Sequence, residues 1–315
     1  MKMQTRAVVF ALTTIVSAAF ADLPKAKQTE RYAKFASQLS KDDYKAAERV
    51  LLEWQSASRT DVELAVAWAN LYSQQAALPI ELSAGAPPEH GVKPDEAGVF
   101  PLQKSGTTET AGFIDTRPRY DDRLLTRALS VLRDAATTHP QRTDIWMGAT
   151  HVQMQAQDLD GAFETLRQFA KYVHEHPKGL QTRFDEPLKD KAEDFMPRTL
   201  HAYAVRGNDE QTSEGMEFLL KVARLAQELY PKHPYAYNDE AIYYSALEDD
   251  ARVLECLLRA HAVRPRDAVV IMNIAATHKN LKQKDKAREF YRLAIKTTDD
   301  AELKAAAREE LEGLE

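Results

Sequence analysis

The sequence repeats itself at a fixed interval of 34 residues between Pro234 and Ala301. When residues 234–267 are laid over residues 268–301, several positions coincide: Ala241 with Ala275, Tyr244 with His278, Leu257 with Tyr291 and Ala260 with Ala294. Pro265 ends the first copy, and Asp299 stands at the equivalent position of the second. A repeat of this length is typical of chains built from stacked helical units, because one such unit cannot bury its own apolar face.

The segment AYNDEAIYYSALEDDARVLECLLRAHAVRP carries the features of the repeat, a small residue inside each helix and a proline near the end. In this pattern the chain resembles tetratricopeptide-repeat (TPR) proteins. The resemblance implies an all-α fold, a right-handed superhelical solenoid of helix–turn–helix hairpins. It also implies a concave groove lined by the first helix of each hairpin, in which members of the family bind an extended peptide or a partner helix.

The same shift extends the pattern towards the N-terminus, where it places Ala128 over Ala162 and Leu132 over Leu166. In the unit that follows, only the second helix keeps the register. Residues 22–315 are therefore predicted to form one TPR-like α-solenoid with these parts: an irregular insertion at 77–119, a repeat pair at 120–176, a degenerate repeat at 177–233, two clear repeats at 234–301 and a capping helix at 302–315.

The insertion at residues 77–119 contains six prolines and five glycines, and it has neither helical nor strand periodicity. Its composition therefore predicts an irregular segment. Apolar side chains within it favour docking onto other groups: Val99, Phe100, Leu102, Phe113 and Ile114. Two interpretations remain open, an arm that packs across the solenoid or grips a partner, and a mobile surface loop.

Residues 1–21 have the pattern of a secretory signal peptide. Lys2 and Arg6 provide the positive end, residues 7–16 form a short apolar stretch, and Ala19-Phe20-Ala21 fits the small-residue cleavage rule. We expect cleavage between Ala21 and Asp22 and a periplasmic or secreted mature protein. No transmembrane segment is expected after cleavage, because no remaining stretch approaches the roughly 20 apolar residues that a spanning helix needs.

Charge and residue content exclude several kinds of function. The formal net charge of −6 argues against nucleic acid as a partner. Cys256 is the only cysteine, so neither an intrachain disulfide nor a thiolate metal cluster can form, and we expect this thiol to lie in the core. His174 and His176 are too few for a metal site. The sequence has no phosphate-binding glycine loop and no G-x-S-x-G or H-E-x-x-H motif, so no cofactor, metal or catalytic residue is predicted.

The resemblance to TPR proteins carries the groove positions over to particular residues. In the two clear repeats they are Tyr235, Asn238, Asp239 and Ile242, followed by Met272, Asn273, Ala276, Lys279 and Asn280. In the repeat pair they are Asp144, Met147, His151 and Met154. Asn273 stands where family members often hold a peptide backbone with an amide, which can both donate and accept a hydrogen bond. Asp239 departs from that pattern.

Together, the signal-peptide pattern and the resemblance imply an exported, non-enzymatic scaffold or adaptor that binds another envelope or secreted protein through a concave groove. Two alternatives remain open. One is an inhibitor or immunity protein that neutralises an exported toxin and grips it with residues 77–119. The other is an enzyme on an α/α toroid, which would need a hidden carboxylate pair such as Asp185 and Glu186. The sequence specifies neither the identity of the partner nor the oligomeric state.

Overall fold

A computed structural model describes residues 30–79, 81–84, 99–104, 110–115, 118–208 and 212–314. These residues form thirteen α-helices, one short 3-10 turn and three β-strands, and successive helices pair as hairpins within each of two compact units. The all-α repeat fold expected from the sequence is therefore confirmed. The predicted signal peptide and its cleavage site lie outside the described residues. Among the described helices, none combines the length and hydrophobicity that a bilayer-spanning segment requires.

The first compact unit spans residues 26–158 and contains five helices and the three strands. Each helix packs against the next in the chain. The elements are α1 (Glu30–Leu39), α2 (Tyr44–Ala57), α3 (Val62–Ala76), β1 (Glu81–Ala84), β2 (Val99–Gln103), β3 (Thr110–Asp115), α4 (Asp122–Thr138) and α5 (Thr143–Gln155). Asp43 caps α2, since its carboxylate accepts a hydrogen bond from the amide of Ala46 at 3.0 Å.

The prediction that residues 77–119 have no regular structure is wrong for three segments. They form an antiparallel sheet in the order β1-β3-β2. Each strand has six residues or fewer, and β2 contains Pro101, which an edge strand can accommodate because it lacks one neighbour. Phe113 on the central strand is buried, whereas Phe100 and Leu102 on β2 are 56% and 41% exposed.

Backbone hydrogen bonds close the base of this insertion. The amide of Leu78 donates to the carbonyl of Arg119 at 2.9 Å, and the amide of Asp121 donates to the carbonyl of Ala76 at 2.8 Å. The end of α3 is therefore tied directly to the start of α4. As a result the two helices pack as a hairpin, and their apolar faces share one core with α5.

A buried ion pair joins the start of α5 to α3. The guanidinium of Arg142 has no exposed surface and lies 2.8 Å from Glu63 Oε1 and 2.9 Å from Asp144 Oδ1. Burial alone would lower the pKa of Arg142, but the two carboxylates raise it, so the side chain remains charged. Sequence reasoning gave this arginine no role, because its burial depends on Glu63, which is remote in the chain.

The second compact unit contains residues 159–315, whose helices also pack in chain order. They are α6 (Leu159–Glu175), α7 (Ala192–Gly207), α8 (Ser213–Leu229), α9 (Tyr235–Ala246), α10 (Asp250–Val263), α11 (Ala268–Asn280), α12 (Lys284–Thr297) and α13 (Ala301–Glu312). α7 contains Pro197 and continues beyond it to Gly207. Asp300 caps α13, and its carboxylate accepts hydrogen bonds from the amides of Glu302 and Leu303.

The repeated alanines lie where helices of this unit contact one another. Ala260, Ala275 and Ala294 have no exposed surface, and Ala241 is 4% exposed. Ala241 and Ala260 belong to the core between α9, α10 and α11, while Ala275 and Ala294 belong to the core between α11, α12 and α13. Cys256 is buried in the first of these cores, and burial raises the pKa of its thiol to about 12. The expected core position of the cysteine is thus confirmed.

We predict that Arg142→Gln lowers the free energy of unfolding by about 3–5 kcal/mol, because it leaves the Glu63 carboxylate buried without its partner. Urea denaturation of the full chain measures the change. Arg133→Gln on the exposed side of α4 is the control. Adding Glu63→Gln to Arg142→Gln should cost less than the sum of the two single changes. Additive effects would show that the two residues do not form one energetic unit.

A second prediction concerns the alanine contacts. Ala260→Leu should lower the free energy of unfolding by about 1–3 kcal/mol, since the added atoms have no space between α9, α10 and α11. Ala305→Leu, on the exposed surface of α13, is the matched control. It makes the same change of side chain without burial, and alanine and leucine both favour helix. Equal stability of the two variants in denaturant titrations would contradict this account of the packing.

Candidate partner-binding cleft

A cleft opens between α9 and α11, and its third side comes from α10. The apolar residues that line it are Ala241, Ile242, Val253, Leu257 and Ala276. The polar residues that line it are Asn238, Ser245, Asp250, Asn273, Thr277 and Asn280. The cleft therefore combines an apolar surface with several amide and hydroxyl groups around a volume of about 30 Å³, which has room for one or two water-sized polar groups of a ligand.

Amide side chains of α11 connect it to α9 and to α10. Asn273 Nδ2 on α11 donates to Asn238 Oδ1 on α9 at 3.4 Å, and Asn280 Nδ2 donates to Asp250 Oδ1 at 3.2 Å. The bond between Asn238 and Asn273 is long, so a competing ligand could replace it at small cost. Asn238, Ile242, Asn273, Ala276 and Asn280, all predicted from the sequence, are thus brought together at one cleft.

Asp239 occupies a different environment from the one predicted for it. Its side chain is 1% exposed, and Oδ1 lies 2.5 Å from Nδ1 of His201 on α7. Tyr235 stacks on the His201 ring with centroids 4.5 Å apart, and it meets His233 edge-on at 4.9 Å. Asp239 and Tyr235 therefore contact neighbouring side chains of the fold and do not line the α9–α11 cleft.

Met272 and Lys279 also point away from this cleft. Met272 packs against the core formed by α11, α12 and α13. Lys279 Nζ lies 2.5 Å from Glu310 Oε2 on α13. His151 and Met154 are half-buried on α5 and belong to the compact unit of residues 26–158. These four predicted groove residues are therefore outside the cleft, as Tyr235 and Asp239 are.

The 34-residue period explains one further regularity. Asp239 and Asn273 are equivalent positions of successive repeats, and each makes a polar contact with the first helix of the preceding hairpin. Asp239 reaches His201 on α7, and Asn273 reaches Asn238 on α9. Sequence reasoning missed His201 because the first helix of the degenerate repeat is out of register, so no fixed shift identifies its contact residue.

The remaining sequence candidates lie in ordinary packing environments. His174 contacts Tyr230 edge-on at 5.7 Å, and His176 stacks on Tyr172 at 4.5 Å. Asp185 is exposed in the 3-10 turn formed by Arg183–Asp185. The pairing of Asp185 with Glu186 as catalytic carboxylates therefore gains no support from a surrounding pocket among the described clefts.

Comparisons with known proteins found no matching family model and no significant match among curated proteins. Three similar solved structures are TTC0263, a thermophilic TPR protein in Thermus thermophilus, YrrB, a TPR protein with an unusual peptide-binding site, and Acl4, an assembly chaperone of RpL4. TTC0263 is 15% identical with a TM-score of 0.38, over 60% of this chain and 91% of that protein. YrrB is 16% identical with a TM-score of 0.36, over 59% and 84%. Acl4 is 10% identical with a TM-score of 0.39, over 90% and 96%.

The contact between His201 and Asp239 generates a prediction about pH. Burial alone would lower the pKa of His201, but the Asp239 carboxylate outweighs burial and raises it. A raised pKa means that the ion pair stabilises the fold below the ordinary histidine value of about 6.5, and that this contribution is lost as pH rises through the folded value.

We therefore predict that Asp239→Asn lowers the thermal midpoint more at pH 6 than at pH 8.5. Comparing the variant with the unchanged protein at each pH cancels the titration of other groups. Asp299→Asn, at an exposed position before α13, should show no such dependence. An equal loss at both pH values would mean that His201 is not charged in the folded protein.

Proposed function

We propose that this protein is an exported, non-enzymatic scaffold or adaptor, and that it holds another envelope or secreted protein as an extended peptide in the α9–α11 cleft. The observation that carries the proposal is the pair of asparagines facing each other across that cleft. Each amide has both donors and an acceptor, which are the groups needed to bond a peptide backbone of any sequence.

The surroundings of the two asparagines support a peptide as the ligand. Ile242 and Ala276 are partly exposed and give the cleft a small apolar surface that a side chain of a peptide can cover. Asn238 is 8% exposed, so its side chain is already held in place by packing before a partner binds. Held side chains lose little conformational entropy on binding, and this favours affinity.

The proposal of export is supported by the charged, apolar and small-residue pattern of residues 1–21. The net charge of −6 favours a protein partner over nucleic acid.

The test uses the mature chain from Asp22 onward, immobilised and exposed to native envelope extract. A captured protein is purified, and its affinity is measured against Asn238→Ala plus Asn273→Ala. We expect this double variant to bind about tenfold or more weakly, because two backbone-binding amides are lost. Gln168→Ala, an exposed amide on α6, is the control and should bind as the unchanged protein does. Equal binding by the double variant would exclude this cleft as the site.

A second candidate function is favoured by the exposed edge strand of the insertion. Phe100 and Leu102 on β2 present apolar surface that could grip a partner, as an inhibitor of an exported toxin would. Phe100→Ser distinguishes the two proposals in the same affinity measurement. Loss of binding in this variant, with full binding by the asparagine variant, would assign the partner to the insertion.

A further inference from the structure

A larger cleft of about 540 Å³ lies in the unit of residues 159–315, at the ends of several helices. It is bordered by the ends of α6 and α8, the start of α7, the loop before α9 and the residue that follows α10. It shares no lining residue with the α9–α11 cleft. Its volume is in the range of sites that hold small organic ligands.

The first turn of α7 supplies backbone donors to this cleft. Ala192 and Glu193 are the first two residues of the helix, and both line the cleft. Their amides cannot bond within the helix. Lys191 at the N-cap makes no side-chain capping bond, and no described side chain accepts from either amide. The positive end of the helix dipole lies at this cleft, where it favours negative charge and offsets part of the repulsion that Glu193 and Asp194 in the same turn exert on an anion.

His233 supplies an independent donor at the same cleft. Its side chain is 6% exposed, and its Nδ1 accepts the backbone amide of Tyr235 at 3.4 Å. A neutral imidazole that accepts at Nδ1 carries its proton at Nε2. None of the described residues accepts a hydrogen bond from that Nε2–H group. Burial lowers the pKa of His233 to about 4, with a further contribution from Arg264, so the ring stays neutral at physiological pH.

The charge and polarity of the remaining lining residues indicate what kind of ligand the cleft suits. Arg264 is half exposed and lies 3.5 Å from Asp194, a distance that leaves its guanidinium available for a second carboxylate. Lys232 adds a further positive charge, while Glu193 and Asp194 add negative ones. Apolar residues also line the cleft: Val173, Pro177, Leu229 and Pro231. An anion that is attached to an apolar body matches this combination of lining residues.

We propose that this cleft binds a carboxylate that bears an apolar group. The carboxylate lies at the first turn of α7, where it accepts from the Ala192 and Glu193 amides, the His233 Nε2–H group and Arg264. The apolar group lies against Leu229 and Pro231, which are at least partly exposed. Two sources share this chemistry, a small free acid and the C-terminus of a polypeptide that ends in an apolar residue.

The first test titrates N-acetyl-leucine into the full mature chain and follows binding by calorimetry. We expect a Kd of about 1 mM or tighter for a ligand of this size. N-acetyl-leucinamide has the same apolar body without the charge and should bind about tenfold or more weakly. Equal affinities for the acid and the amide, or no binding of the acid up to about 10 mM, would overturn the proposal.

Two substitutions with matched controls locate the site. Ala192→Pro removes one donor and keeps the helix, because proline is favoured at the first helical position and Lys191 already has extended φ and ψ values of −67° and 140°. Ser213→Pro, at the first position of α8, is its control. Arg264→Gln removes a guanidinium, and the exposed Arg266→Gln is its control.

We expect Ala192→Pro and Arg264→Gln each to weaken binding of N-acetyl-leucine about tenfold, and both controls to change it less than about twofold. Equal weakening by a variant and its control would overturn the assignment of the site. Asn238→Ala plus Asn273→Ala should leave binding of N-acetyl-leucine unchanged. The carboxylate site and the peptide cleft are thus tested by different variants, and either proposal can fail without the other.

The source is identified by a second ligand, acetyl-Ala-Ala-Leu with a free C-terminus. Tighter binding of this peptide than of N-acetyl-leucine would assign the cleft to a polypeptide terminus. Binding of N-acetyl-leucine alone would assign it to a small acid. Both results support a carboxylate site, whereas equal binding of the peptide and its C-terminal amide would overturn it.

Discussion

The close approach of neighbouring helices is the constraint on which this fold depends. Ala260, Ala275 and Ala294 are fully buried at helix contacts, where the interior is packed too densely to accept a larger side chain. Each hairpin covers the apolar face of the next within its unit, so one displaced helix would expose the core of its neighbour. This is why the 34-residue interval is visible in the alanines although the surrounding surface residues differ between copies.

The helices were predictable from the sequence because their signals are local, but the strands were not. Asp43 and Asp300 cap helices where an acidic residue precedes a run of residues that favour helix. In the insertion, strand formation depends on pairing between segments that are far apart in the chain. Glu81 pairs with Asp115, and neither the short strands nor Pro101 gives the alternating pattern that marks a strand locally.

The cleft was predictable only in part, because the resemblance identifies a helix face but not what else touches it. Asn238, Asn273 and Asn280 meet at one site, whereas Asp239 is bonded to His201 and Lys279 to Glu310. The contacts of Asp239 and Lys279 are made with α7 and α13, which lie outside the regular repeats. A polar residue on a repeat helix therefore has two possible partners, a ligand or a neighbouring helix, and the choice is made by the tertiary structure.

Tyr235 connects the surroundings of the two clefts. Its ring stacks on His201, and its amide donates to His233, which lines the cleft at the first turn of α7. Asn238 follows one turn later on α9 and lines the other cleft. Such a chain of contacts transmits nothing by itself, because coupling needs two arrangements that both ligands prefer differently. A ligand at Nε2 of His233 polarises the ring that holds the first amide of α9. The first turn of α9 therefore contacts both clefts, through Tyr235 and His233 at one and through Asn238 at the other.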